Sequence, residues 1–106
     1  MSDMISLSRD TGLELPEYRE LVSLFSKVTE TDLASLEFAA AGKDWESMRQ
    51  ILHHVRGAAL NLSLEGIFHD LFLINGADLV DDPGAAEKAV HSLRLGLVKL
   101  RQLLTA

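Results

Sequence analysis

The stretch Ile51-Leu52-His53-His54-Val55-Arg56-Gly57-Ala58-Ala59-Leu60-Asn61-Leu62-Ser63-Leu64 decides how the rest of the chain reads. On a helix, Leu52, Val55, Ala59 and Leu62 fall on one stripe, continued backwards by Met48 and Trp45, with the spacing of a buried seam. His53 lies off that stripe. Arg49 stands one turn before it, and Arg56 and Gly57 one turn after it. The spacing predicts a solvent-facing histidine between two cations, with bare backbone beside it.

Working outward, Gly42 is a natural stop for a preceding helix and Asp44 a natural N-cap for the central one, which runs from Trp45 to about Asn61 or Leu62. Upstream, Pro16 suits the first turn of a helix, and Glu17 and Glu20 suit its positive end. Tyr18, Val22, Phe25, Leu33, Leu36 and Ala40 then recur at helical spacing, with Thr29 as a polar gap. One helix from about Pro16 to Ala41 accounts for them. Residues 1–14 scatter Met4, Ile5, Leu7 and Leu13 among polar positions and read as a partly ordered lead-in with room for a short helix.

Downstream, Ser63 is placed to cap a third helix with Leu64, Ile67, Phe68, Leu71 and Ile74 on its apolar face, ending near Leu79. Asp81-Asp82-Pro83-Gly84 is a turn signal. The last helix carries Ala86, Val90, Leu93, Leu97, Leu100 and Leu104 on one stripe. Its acids (Asp82, Glu87) lie early and its bases (Arg94, Lys99, Arg101) late, as the helix dipole prefers. No segment reads as a strand. Four amphipathic helices with short connections predict an all-α, antiparallel up-down-up-down four-helix bundle in a single domain over 1–106, the bundle spanning about 16–104.

A chain of 106 residues can bury a core of its own. The net charge of −6 argues against nucleic acid as a partner, because phosphate backbones demand a basic footprint. There is no cysteine, hence neither a disulfide framework nor a thiolate metal site. No basic-plus-apolar leader and no run of membrane-spanning length is evident, so a cytoplasmic location with no membrane partner is expected. His53, His54, Glu65, His69, Asp70 and His91 are metal-capable. Bundle sites of the two-carboxylate, two-histidine kind take Glu-x-x-His pairs from two helices, and none is present, so no metal is expected.

The chemistry of the central stretch suits phosphoryl acceptance. Neutral imidazole is a competent nucleophile near neutral pH. Arg49 and Arg56 would disfavour the imidazolium and present forked donors to phosphoryl oxygens. Gly57 in mid-helix costs roughly 1 kcal/mol relative to Ala, which points to a surface that must stay open or pack closely.

The same residues resemble the core motif of the histidine-containing phosphotransfer (HPt) domains of two-component phosphorelays: His-x-x-Lys-Gly, then small residues, an apolar residue and usually Gly. Here the motif stands as His53-His54-Val55-Arg56-Gly57-Ala58-Ala59-Leu60-Asn61-Leu62-Ser63. The resemblance covers about residues 16–104, including the Phe25 region and the Ala-Gly-Lys-Asp turn at 41–44. It implies that His53 is phosphorylated, that Arg56 replaces the phosphate-stabilising lysine and that Gly57 is the motif glycine. It further implies a phosphocarrier rather than a turnover enzyme. Its partners would be receiver domains of hybrid kinases and response regulators, which supply the aspartate and the Mg²⁺, so the chain needs no cofactor of its own. A monomer is the simplest expectation. Two further positions depart from the family's pattern: Ser63 stands where Gly usually ends the helix, and Asn75 where many members place a Gln against the imidazole. These departures sustain an alternative, an HPt-like docking module without phosphotransfer.

Several residues admit a second reading. Arg49 is either a phosphate ligand or a solvated cation paired with Glu46 or Asp44. Gly57 either bares the surface or lets helices approach. His54, about 100° round the helix from His53, shares a face with Gln50, Ala58 and Asn61 and is expected to be structural or part of an interface. Ala58, Leu60 and Leu64 are expected to line a docking surface around His53, although apolar helix residues also serve as core.

Overall fold

The computed structural model describes residues 3–106, with Pro83 described by its backbone alone. Among the described residues six helices follow in order: α1 Met4–Thr11, α2 Leu15–Ala41, α3 Trp45–Asn61, α4 His69–Phe72, α5 Asp78–Asp81 and α6 Pro83–Thr105. No strand occurs among the described residues.

The long helix α2 forms without interruption, with Pro16 in its first turn and Thr29 buried in its middle. It packs against both α3 and α6 and runs antiparallel to each. At its start, the Tyr18 hydroxyl donates to the Leu62 carbonyl just past the end of α3 (2.6 Å), and Arg19 donates to the Leu104 carbonyl near the end of α6 (3.2 Å). Glu37 and Glu30 meet Arg94 and Arg101 at 3.1 and 3.5 Å, which fixes the same antiparallel register with α6. These pairs are solvent-exposed and add little stability. Stability comes from the seam between the helices. Tyr18, Val22, Leu36, Met48, Leu52, Leu93, Leu97 and Leu100 are wholly buried there.

The junction from α2 to α3 differs in detail from expectation. Gly42 has an ordinary negative φ of −87°, and the left-handed residue is Lys43, at φ 55°. Asp44 N–H donates to the Ala39 carbonyl (2.8 Å) and Lys43 N–H to the Ala40 carbonyl (3.1 Å), the paired bonds that close a helix through a left-handed residue. Asp44 then caps α3 through Ser47 N–H (3.2 Å). The end of α3 repeats the device. Ser63 has φ 57°, Leu64 N–H donates to the Ala59 carbonyl (2.8 Å), and Ser63 N–H to that of Leu60 (3.1 Å).

The short helix for which the lead-in had room forms, and one expected segment is corrected. The lead-in is a capped helix: Asp3 accepts from Ser6 N–H (2.8 Å), Gly12 closes it at φ 78°, and Met4 and Leu7 join the core. Met1 and Ser2 of that segment lie outside the described residues. The continuous third helix from Ser63 to Leu79 does not form. A series of turns over 65–68, the single turn α4, a second bend over 73–77 and the single turn α5 take its place. Gly66 and Gly76 weaken helix there. The Asn75 carboxamide accepts from Ala77 N–H (3.1 Å), a local bond that competes with helix. The Ile74 carbonyl accepts from Arg56 rather than from the following turn (2.8 Å). Of the expected apolar face, Leu64, Phe68 and Leu71 are buried, and Ile67 and Ile74 are partly buried against the core.

Phe68 ties this broken segment to both long helices. Its ring meets that of Phe25 edge-on, with centroids 5.7 Å apart at 76°, a favoured aromatic geometry. On its other side it lies against α6 at Gly96, where a Cβ would stand 2.2 Å from the ring.

Candidate functional site

His53 leaves α3 on the side away from α2. It is exposed, at the lip of a groove of about 700 Å³ between α3 and the bend over 73–77. Arg49, Arg56, Gly57 and Leu60 line the groove from α3, and Phe72, Ile74, Asn75 and Gly76 from the opposite wall. Gly57 is exposed, and a Cβ there would meet nothing within 4 Å. Its bareness therefore opens the approach to His53, and the close-packing reading of this glycine is corrected.

The two cations are held differently. Arg56 is half-buried. Its Nε donates to the Leu52 carbonyl (3.3 Å) and its Nη1 to the Ile74 carbonyl (2.8 Å), so its guanidinium straps the bend to α3. Arg49 is exposed and forks onto Glu46, with Nε donating to Oε2 at 3.2 Å and Nη2 to Oε1. That hydrogen bond holds the Glu46 carboxyl below its ordinary range and raises the Arg49 guanidinium further. Asp44, the other candidate partner of Arg49, is committed to Ser47, whose hydroxyl and amide hold its carboxyl low. Asn75 lines the groove beside His53, with its oxygen turned to Ala77 N–H.

The expected docking residues separate. Leu60 is exposed and lines the His53 groove, whereas Ala58 is half-buried and lines a second groove on the α2 side. Leu64 is wholly buried in the core and offers no surface to a partner, which corrects its assignment. The second groove, about 280 Å³, runs between α2 and α3 and carries His54. His54 is exposed there rather than buried as a structural residue. It faces Asp32, whose carboxyl burial pushes up while the His54 charge pulls it down. Leu21, Leu24 and Val28 of α2 form the apolar wall of this groove and remain 42%, 58% and 46% exposed. They recur at three- and four-residue spacing, a second apolar stripe that was visible in the sequence but overshadowed by the core stripe of the same helix. Glycine at 76 and the apolar Leu73 and Phe72 were likewise missed as site residues, because the bend that carries them reads as helix.

Chemically, the arrangement offers an accessible imidazole, two guanidinium groups within one turn of it and an open backbone path. Among the described residues, no group of three or more His, Asp or Glu side chains comes together to hold a metal ion, and no helix is long and apolar enough to cross a membrane. No known family model matches the chain, and neither does any curated protein sequence or solved structure.

Proposed function

We propose that this chain is a phosphoryl carrier of the HPt kind, in which His53 takes a phosphoryl group from an aspartyl phosphate of one receiver domain and passes it to another. The observation that carries the reading is His53 itself, exposed at the lip of a groove with Arg49, Arg56 and the bare Gly57. In the forward step an imidazole nitrogen attacks phosphorus, the P–O bond to the aspartate breaks and the carboxylate leaves. The other ring nitrogen keeps its hydrogen. Positioning and charge stabilisation dominate such transfers. The receiver would bring its Mg²⁺, and this chain the nucleophile and a docking face.

In this reading the fold is an up-down-up-down bundle of four rods: α2, α3, the broken segment 64–81 and α6. The antiparallel ties of α2 to α3 and α6 support it, as does the Arg56–Ile74 bond between α3 and the third rod. The apolar walls on either side of His53 suit docking: Leu60, Phe72 and Leu73 on one side, and Leu21, Leu24 and Val28 on the other. The partners are then receiver domains, the carrier is a cytoplasmic monomer, and it has no turnover chemistry of its own.

One observation favours a second reading, an HPt-like docking module without phosphotransfer: both cations beside His53 already have partners. Intact-protein mass spectrometry separates the two. The protein is mixed with phosphorylated receiver domains and Mg²⁺, beside His53→Gln. The carrier gains one phosphoryl group and the variant gains none while staying folded. Binding without uptake from any cognate receiver would establish the docking module instead.

A further inference from the structure

We propose that Arg49, rather than Arg56, is the residue of this groove that takes up the phosphoryl oxygens, and that Glu46 holds its guanidinium at rest and yields it to the incoming anion. The physiological ligand rests on the phosphocarrier reading above; the exchange itself requires only a small oxyanion in the groove.

Three observations converge on Arg49. Arg56 has its Nε and Nη1 on the carbonyls of Leu52 and Ile74, so turning its fork onto a ligand would strip those carbonyls of a donor and loosen the wall of the groove, and only its remaining Nη hydrogens are open to an anion as it stands. Arg49 has no such duty. Among the described residues its only side-chain partner is Glu46, the two side chains are 56% and 61% exposed, and a pair of that kind is held weakly. A phosphoryl dianion offers the same fork of acceptors with more charge. The track for Arg49 is also built: its stem crosses Gly76, where a Cβ would lie 3.1 Å from Cγ and 3.2 Å from Cδ. Glycine at 76 lets the arginine stem lie against the opposite wall of the groove, its Cα one helical turn from that of His53. Glu46 is then an internal stand-in for the anion, and its release accompanies loading.

Inorganic phosphate titrated into ¹⁵N-labelled protein tests the exchange, with the arginine Nε–H signals as readout. The Arg49 signal moves, Glu46→Gln tightens the apparent Kd about threefold or more, and Arg49→Gln weakens it at least about fivefold. A response at Arg56 with none at Arg49, or an unchanged Kd in Glu46→Gln, overturns the proposal. A second arm uses phosphoramidate as a small donor. A His53 nitrogen attacks its phosphorus, the donor's P–N bond breaks, and ammonia leaves with a proton from solvent. Loading slows about tenfold in Arg49→Gln and quickens in Glu46→Gln. If His53 takes no phosphoryl group while phosphate still moves the Arg49 signal, the carrier reading falls and the Arg49–Glu46 exchange stands.

Discussion

Arg56 donates from Nη1 to the carbonyl oxygen of Ile74 at 2.8 Å, tying α3 to a bend eighteen residues further along the chain. The residue that the motif marks for phosphate is thus also the clasp of the groove wall. Arg56→Ala should cost about 1.5–3 kcal/mol, the range for hydrogen bonds to a charged group. Chemical denaturation measures that loss. Hydrogen exchange locates it, with the amides of Ala77 and Asp78 exchanging faster while those of α2 keep their protection relative to global stability. Arg56→Lys should fall between, because one ammonium replaces a fork that reaches two carbonyls.

Gly96 gives a second clear outcome. A methyl group there would stand 2.2 Å from Cδ1 of Phe68, whose ring is buried between α6 and Phe25. Gly96→Ala should destabilise by about 1–3 kcal/mol through overpacking, although alanine is the better helix former. Phe68→Leu in the same chain should relieve much of that, so a double-mutant cycle should return a coupling of about 1 kcal/mol or more. Additive effects would remove the contact as the cause.

Tyr18 links packing to pH. Its hydroxyl donates to the Leu62 carbonyl at 2.6 Å, and Tyr18→Phe should cost about 1–2 kcal/mol by leaving that carbonyl unpaired. Burial first, then the charges of Asp10 and Glu65, push the phenol from 10.0 up to about 12. Between those values the unfolded chain has lost the proton and the folded chain retains it. The contribution is therefore whole below pH 10 and is lost as pH rises through about 12. Denaturation midpoints across that window should fall more steeply for the native protein than for Tyr18→Phe.

The left-handed residues that close α2 and α3 invite stabilisation. Lys43 and Ser63 sit at φ 55° and 57°, where a Cβ costs about 1–2 kcal/mol. Ser63→Gly and Lys43→Gly should each raise stability by up to about 1 kcal/mol, the backbone entropy of glycine offsetting the rest. A thermal melt reads the gain. Ser63 also stands where the HPt motif that this stretch resembles usually carries glycine, so on the proposed carrier reading its replacement should leave phosphoryl uptake by His53 unchanged.

The helices α2, α3 and α6 were legible because their information is local. Apolar spacing, Pro16, Asp44 and Asp82 each act within a turn or two of chain, and the structure keeps all of them. The exposure of His53 followed from the same periodicity, and Glu46 stood among the candidate partners of Arg49 because it lies one turn away. The third rod was not legible in this way. Its apolar spacing is helical, but its backbone is bent by the Asn75 side chain and by a guanidinium from another helix, and only the first of these is local.

What the sequence alone determined, then, is which faces are apolar, where the long helices begin and end, and that an imidazole stands among cations off the buried seam. The tertiary structure decided which apolar residues remain free. Leu60 faces the groove while Leu64, four residues on, turns into the core after the left-handed step at Ser63. It also decided that Arg56 reaches the Ile74 carbonyl while Arg49 pairs with the exposed Glu46. Periodicity says which side of a helix a residue occupies. The partner of a long polar side chain depends on the backbone that packing brings opposite it, and that is set by contacts far apart in the chain.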